Sequence, residues 1–458
     1  MDARIKAILL MLTGVAIIAT VGRECLAADG AAFLTAMLIG HQGFVHHGFV
    51  IIWPSRLFSQ AIPQVLPWIA IHVFGFHNRL LASYLYGFSL YGFPILSLYI
   101  TYILLDKKYL FILPLASYIF STLLTYWFII SESNVMSYVF WMIIALLSRD
   151  KIRGFRKAFL FVLIVLSVYL YNSFIFLSLL WFPLLIKKST NEHGTFLKAY
   201  WYLLIATTIF GYAVAVRSAL HPLIPGNESS FIQYTLHSLP KYTSLYILVA
   251  SMLLGYVTSS GNFYNIAKNK YSRGPSTNLK TTVSWQQVNY MLYILIPSVS
   301  FAVFVNHPEA NEIFSSFKYL ALNIMSPFVF GFIFMWFAWN NNMRLSSNVY
   351  SRIVNGLMLS TLVASSMQLA ASFPWYRYTS AMSNVVNKLD RPINNIQPSS
   401  MDILCFKNPV PPSAGGWTYG PQSVLFASGH INTVLYTPFH MDWWSPTQLL
   451  NYSRKVWG

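Results

Sequence analysis

The chain has 458 residues, of which 56% are hydrophobic, 17% aromatic and only 9% charged, with a mean hydropathy of +0.52. Soluble globular domains carry about 25% charged residues, so the composition excludes an ordinary soluble domain. A formal net charge of +17 does not indicate a nucleic-acid partner, because the basic residues sit in short loops between apolar runs, as in an inner-membrane protein. Repeated apolar stretches of about 17–25 residues predict an all-α polytopic membrane protein.

The first apolar run, 5–22, follows the basic flank MDARIK. That flank and the downstream CLAA-DG also fit a cleaved signal peptide, whereas a retained helix gives the odd span count that the loop charges require. Residues 23–79 come next as a long first outer loop, RECLAADGAAFLTAMLIGHQGFVHHGFVIIWPSRLFSQAIPQVLPWIAIHVFGFHNR. This loop is apolar enough to lie on a membrane but too interrupted by Pro, His and Arg to cross one. Interfacial helices are predicted there.

Further spans are predicted at 80–104, 109–130, 133–148, 158–171, 173–186, 199–219, 242–258, 286–305, 317–338 and 356–373. The run 158–186 has basic residues at both ends, which one helix cannot reconcile with the loop charges. A helical hairpin turning near Tyr171, Asn172 and Ser173 can. With it the count is about eleven transmembrane helices, the N-terminus is cytoplasmic and the C-terminus lies outside. In this arrangement 18 of the 30 Lys and Arg residues face the cytoplasm, with only 4 of the 13 acids. Two units follow: a transmembrane unit, 1–373, and an outer C-terminal segment, 374–458. That segment opens with Pro-, Asn- and Ser-rich loops and then alternates aromatic, β-branched and turn residues, predicting a few short strands or an irregular cap.

No Walker, HExxH, GxSxG or CxxC pattern occurs, so catalysis would rest on scattered polar residues at the membrane surface. Asp29, just past the first span and followed by Gly30, fits a partly desolvated general base; Asp-Gly-Ala-Ala is equally a good helix start, with Asp29 as its N-cap. Glu24 is the fallback base, or else a solvated ion-pair partner of Arg23. Glu132, at the outer turn before the fourth span, is an acid at membrane level and thus a functional suspect, or a turn residue facing water. Cations able to meet a phosphate at the outer edge are Arg56, Arg79, Arg217, Lys241 and Lys318. Long basic side chains also snorkel to headgroups without any ligand.

All histidines except His193 fall on the outer side. His41 and His47 lie too far apart in register for the i, i+4 pairing of zinc sites, so sequence alone leaves a divalent metal undecided. His41, His46 and His47 suit hydrogen bonds to phosphate or sugar, or packing at the interface. Trp53 and the other outer tryptophans suit either an interfacial belt or stacking on a sugar face. The two cysteines, Cys25 and Cys405, both fall on the outer side. They are either two unpaired small apolar residues or a disulfide tying the tail over the first loop.

In its long first outer loop, its acid soon after the first span, its eleven or so spans and its outer C-terminal segment, the chain resembles the GT-C superfamily of glycosyltransferases. That superfamily is typified by protein O-mannosyltransferases and aminoarabinose transferases. Ala28-Asp29-Gly30 stands where many members carry paired acids. The resemblance implies Asp29 as base, a polyprenyl-phosphate-linked sugar as donor, and transfer with inversion on the outer face of a bacterial inner membrane. It implies membrane lipid and no nucleic acid as further partners. Two other functions remain open on the sequence: a polysaccharide polymerase or ligase, and a lipid-linked glycan transporter or flippase. A transporter is expected to carry mid-span acids, of which the chain has none, and often an internal repeat.

Overall fold

The computed structural model describes residues 2–26, 29–39, 45–46, 49–50, 57–125, 132–170, 173–192, 194–220, 243–258, 293–300, 316–339, 345–388 and 425–426, and these are predominantly helical. The helices are α1 (Ala3–Val21), α2 (Asp29–Ile39), α3 (Leu57–Trp68), α4 (Arg79–Leu104), α5 (Ile112–Phe120) and α6 (Glu132–Leu147). They continue with α7 (Phe155–Val168), α8 (Phe174–Thr190), α9 (Thr195–Leu220), α10 (Thr243–Thr258), α11 (Ser316–Trp339) and α12 (Ser347–Lys388). Residues 293–300 are also helical. The result is an all-α fold. Four helices, Ala3–Val21, Arg79–Leu104, Thr195–Arg217 and Ser347–Asn384, are long and apolar enough to cross a membrane.

The outer surface of these helices is oily. Leu10 is 72% exposed, and Phe88, Leu203 and Phe332 also stand out from the bundle. Polar groups go the other way. Ser83, Ser97, Ser121, Thr208 and Thr361 are buried, and their hydroxyls donate to carbonyls one turn earlier in their own helices. This inside-out distribution suits a chain whose solvent is hydrocarbon, in which every backbone and hydroxyl group needs an internal partner. At one crossing, α10 on α12, side chains are dispensed with. A Cβ on Gly255 would lie 2.9 Å from the Gly356 Cα, and one on Gly356 would lie 2.6 Å from the Met252 carbonyl. Small residues permitting backbone contact are how apolar helices associate when burial alone does not favour it.

The structure departs from the sequence reading in several places. The predicted span 109–130 becomes the nine-residue, wholly buried α5, a turn at Ser121 and a 3-10 turn, Thr122–Thr125. Nine residues fall well short of the ~20 a crossing needs. The run 158–186 is divided between α7 and α8, and residues 171–172 of the predicted turn lie outside the described residues. Lys188, near the end of α8, donates through its ammonium to the Arg149 and Asp150 carbonyls just before α7.

The last helix runs on through Pro374 to Lys388, where the sequence predicted an end at 373. Beyond the proline it buries Trp375, Tyr378, Met382 and Val386 on one stripe. Burial of four large side chains, each worth roughly 1.5–3 kcal/mol, outweighs the ~3 kcal/mol a helix-interior proline costs. Strands occur in the first loop rather than in the described part of the tail. Val45–His46 (β1) pairs antiparallel with Phe49–Val50 (β2), opposing Val45 to Val50 and His46 to Phe49.

The first loop folds in two ways. In α2, every described side chain from Ala31 to Leu38 is buried, so this helix is enclosed by protein and does not lie on a membrane surface. Its sequence, DGAAFLTAMLI, is apolar on all sides, as an enclosed helix requires. By contrast, α3 turns Ser59, Gln60 and Gln64 inward and leaves Leu57 and Val65 partly exposed. Gln64 stands in for a strand neighbour: its amide oxygen accepts from the Val50 N–H at 2.8 Å, and its amide nitrogen donates to the Val50 carbonyl at 2.9 Å.

Candidate functional site

Helix α1 ends at Gly22, whose N–H donates to the Ile18 carbonyl at 2.8 Å, and the next residue, Arg23, takes a left-handed conformation with φ 51°. Glycine is the usual occupant of such a cap because a Cβ costs about 1–2 kcal/mol there. A non-glycine outlier of this kind is a pointer to function. It reverses the chain so that the 3-10 turn Glu24–Leu26 plunges back into the protein with all three residues buried.

Glu24 is 1% exposed, and its Oε1 lies 2.5 Å from the Ser372 hydroxyl of α12. Burial pushes its carboxyl up to about 8, against a weaker opposing effect of the serine hydrogen bond. At neutral pH the group is therefore mostly protonated. The Ser372 hydroxyl also lies 3.1 Å from the Gln368 carbonyl. The Ser372 hydroxyl donates to Glu24 Oε1, which is the bond that opposes the effect of burial on the carboxyl. Gln368 in turn donates through its side-chain nitrogen to the Leu123 carbonyl.

Two guanidinium groups stand nearby. Arg23 lies over the Phe426 ring at 4.7 Å and donates to the Leu425 carbonyl at 3.3 Å. Desolvation lowers its pKa. Arg79, the first residue of α4, is 7% exposed. Trp375 completes this end: its indole N–H donates to the Gly22 carbonyl at 2.9 Å, and its ring meets Tyr378 and Phe426. The tail thus returns to the first loop, but through Arg23 and Phe426. Cys25 is a fully buried thiol whose Sγ lies 3.5 Å from the Ser83 carbonyl, and Cys405, the other half of the possible disulfide, lies outside the described residues. Burial also raises the Cys25 pKa, which makes the thiol a poor nucleophile.

The other sequence candidates are distributed as follows. Asp29 is the first residue of α2 and Glu132 the first of α6; both backbones are described and neither side chain is. Lys318 lies in α11 and His46 in β1, again without described side chains. Arg217 is exposed near the end of α9, and among the described residues no contact joins it to Glu24. Arg56, His41, His47, Trp53, Lys241 and Cys405 lie outside the described residues. Among the described residues no three His, Cys, Asp or Glu groups gather as a metal would require.

Glu24 is not the solvated partner of Arg23 that its sequence neighbourhood suggests. Its carboxyl is enclosed instead, at 1% exposure. Ser372, Gln368 and Phe426 escaped the sequence reading, whereas Trp375 was among the outer tryptophans it singled out. A signal for the first two was present: Gln368 and Ser372 are spaced i, i+4 within the apolar run of α12, a polar stripe that an apolar helix carries only toward an interior partner. No protein-family model matches the chain, and no curated protein or solved structure matches it either.

Proposed function

We propose that the chain is a polytopic membrane glycosyltransferase that moves a sugar from a polyprenyl-phosphate donor to an acceptor, with inversion. In this reading the end of the bundle carrying Glu24 faces outward from a bacterial inner membrane, the N-terminus is cytoplasmic, and the fold belongs with the GT-C transferases. What supports it is that basic residues flank both ends of the first loop and are drawn in from solvent: Arg79 is 7% exposed, and Arg23 is half-buried with its guanidinium over the Phe426 ring. Burying a guanidinium costs free energy, and a donor phosphate at this end of the bundle would add charge-assisted, bidentate hydrogen bonds that help offset that cost.

Asp29 begins α2 five residues beyond Glu24 and is the group assigned to take the acceptor hydroxyl proton. In the balanced step, that oxygen attacks the anomeric carbon, the bond to the phosphate oxygen breaks, and the polyprenyl phosphate leaves carrying the electron pair. Arg23 and Arg79 stabilise the charge that develops on it. Glu24 keeps its proton and holds the loop to α12 through Ser372.

The test is transfer from a panel of radiolabelled polyprenyl-phosphate sugars in membranes containing the parent or Asp29→Asn at matched abundance. Transfer by the parent that collapses in the variant supports the enzyme and its base. Transfer that persists in Asp29→Asn moves the base elsewhere. A parent inactive with every donor, yet exchanging lipid-linked glycan between leaflets, would favour the transporter reading instead.

A further inference from the structure

At the end of the bundle opposite Glu24, five helix ends converge: the C-termini of α4, α6 and α8 and the N-termini of α7 and α9. Arg149 ties the first two together, pairing with Asp106 at 2.5 Å and donating to the Leu104 carbonyl at 2.5 Å. Lys188 brings in α8 through the Arg149 and Asp150 carbonyls. Tyr200 of α9 donates to the Lys157 carbonyl at 2.6 Å, while the Lys157 ammonium lies over the Tyr200 and Trp201 rings. Lys108 donates to the Tyr102 and Ile103 carbonyls. Arg149, Lys188, Lys157 and Lys108 are therefore engaged within the protein, largely in capping helix ends.

A second set is not. Lys151, Arg153 and Arg156 are exposed, and among the described residues none has a carboxylate partner. Between the last two sits Phe155, 81% exposed and stacked on Phe159 at 6.0 Å. Gly154, at φ +55°, turns the chain so that α7 begins at this phenylalanine. Phe196, at the start of α9, is 85% exposed at the same end. Segments 106–108, 149–157, 187–192 and residue 198 together hold ten Lys or Arg and three acids.

Bare aromatic rings beside unpaired guanidiniums, level with the ends of apolar helices, match one solvent: the polar boundary of a bilayer. There rings sink among acyl carbons and cations meet phosphates. A soluble anion would use the charges but give no reason for the exposed rings. We propose that Lys151, Arg153, Arg156 and Phe155 form a docking surface for anionic phospholipid headgroups at this rim of the bundle. The inference is independent of the chemistry assigned to the opposite end.

The experiment is native mass spectrometry of the full chain in neutral detergent, titrated with phosphatidylglycerol or phosphatidylcholine of identical acyl chains. The parent is expected to bind phosphatidylglycerol about tenfold or more tightly. The triple variant Lys151→Gln, Arg153→Gln, Arg156→Gln is expected to weaken phosphatidylglycerol binding roughly 10- to 100-fold and leave phosphatidylcholine unchanged. Phe155→Ser should weaken both lipids equally. Equal binding of the two lipids by the parent, or an unchanged preference in the triple variant, overturns the proposal. So does displacement of phosphatidylglycerol by equimolar glycerol phosphate, which would make this a free-phosphate site. Should the triple variant not fold, the parent decides alone: its preference must vanish at about 0.5 M salt, where charges are screened within a few ångströms, and persistence there sinks the idea.

Discussion

The two ends of the bundle carry cations in opposite ways. At one, Arg79 is buried and Arg23 half-buried, on the elements that flank a buried Glu24 whose pKa burial raises. At the other, Arg149, Lys108 and Lys188 neutralise helix carbonyls while Lys151, Arg153 and Arg156 reach into solvent. Charge placed outside a fold costs little and can be numerous. Charge placed inside is costly, and it persists where something offsets the desolvation. The proposals above accordingly assign chemistry to the first end and anchorage to the second, even though each is basic.

Four substitutions would break or sharpen that contrast. The largest effect is expected for Asp29→Asn, which should lower sugar transfer in membranes by about 10²- to 10⁴-fold, the usual contribution of a general base. The triple Gln variant of the opposite rim, assayed alongside, should stay within about twofold of the parent. If both fall together, the two ends do not divide the labour as described. Arg79→Gln comes next. Loss of one bidentate phosphate partner, worth roughly 1.5–3 kcal/mol, should raise the KM for the polyprenyl-phosphate donor about 10- to 100-fold. An unaltered KM with a purely lowered abundance would make Arg79 structural.

Glu24→Gln should act on pH dependence. The folded chain keeps a proton on Glu24 up to about pH 8, whereas the unfolded chain releases it near the ordinary value of 4.5. Deprotonation thus favours the unfolded chain, and the parent should lose stability as pH rises from about 4.5 to about 8, at up to about 1.4 kcal/mol per pH unit. The amide isostere has no proton to lose, so this slope should disappear when denaturation in detergent is followed across that range. An identical slope in both proteins would assign it to another group. The smallest effect belongs to Lys188→Met, which removes the link between α8 and the loop before α7. A loss of about 1 kcal/mol or less is expected, read as a small drop in thermal midpoint with transfer unchanged.

Much of the fold was legible because its signals are local. Apolar length marked α1, α4, α9 and the start of α12, and the clash between charge and length in 158–186 exposed the break between α7 and α8. Where the reading failed, long-range contact had overridden a local rule. The proline at 374 argued for a helix end, yet burial of Trp375 and Tyr378 carried α12 past it. The apolar helix after Asp29 looked interfacial but is enclosed by its neighbours. The site was half legible. Arg79 stood out as a cation at the edge of an apolar run and Glu24 as one of few acids. Adjacency of Arg23 and Glu24 suggested an ion pair that the left-handed turn at Arg23 prevents, by sending the carboxyl inward.

By itself, the sequence determined that this protein is a bundle of apolar helices with a loaded first loop, because hydropathy and charge act over a single turn or span and need no partner to be read. Only the tertiary structure decided which acid is buried, which serine meets it from 348 residues away, and which cations are enclosed and which are free. Those outcomes depend on desolvation, and a side chain's desolvation is set by neighbours that the chain brings to it from elsewhere.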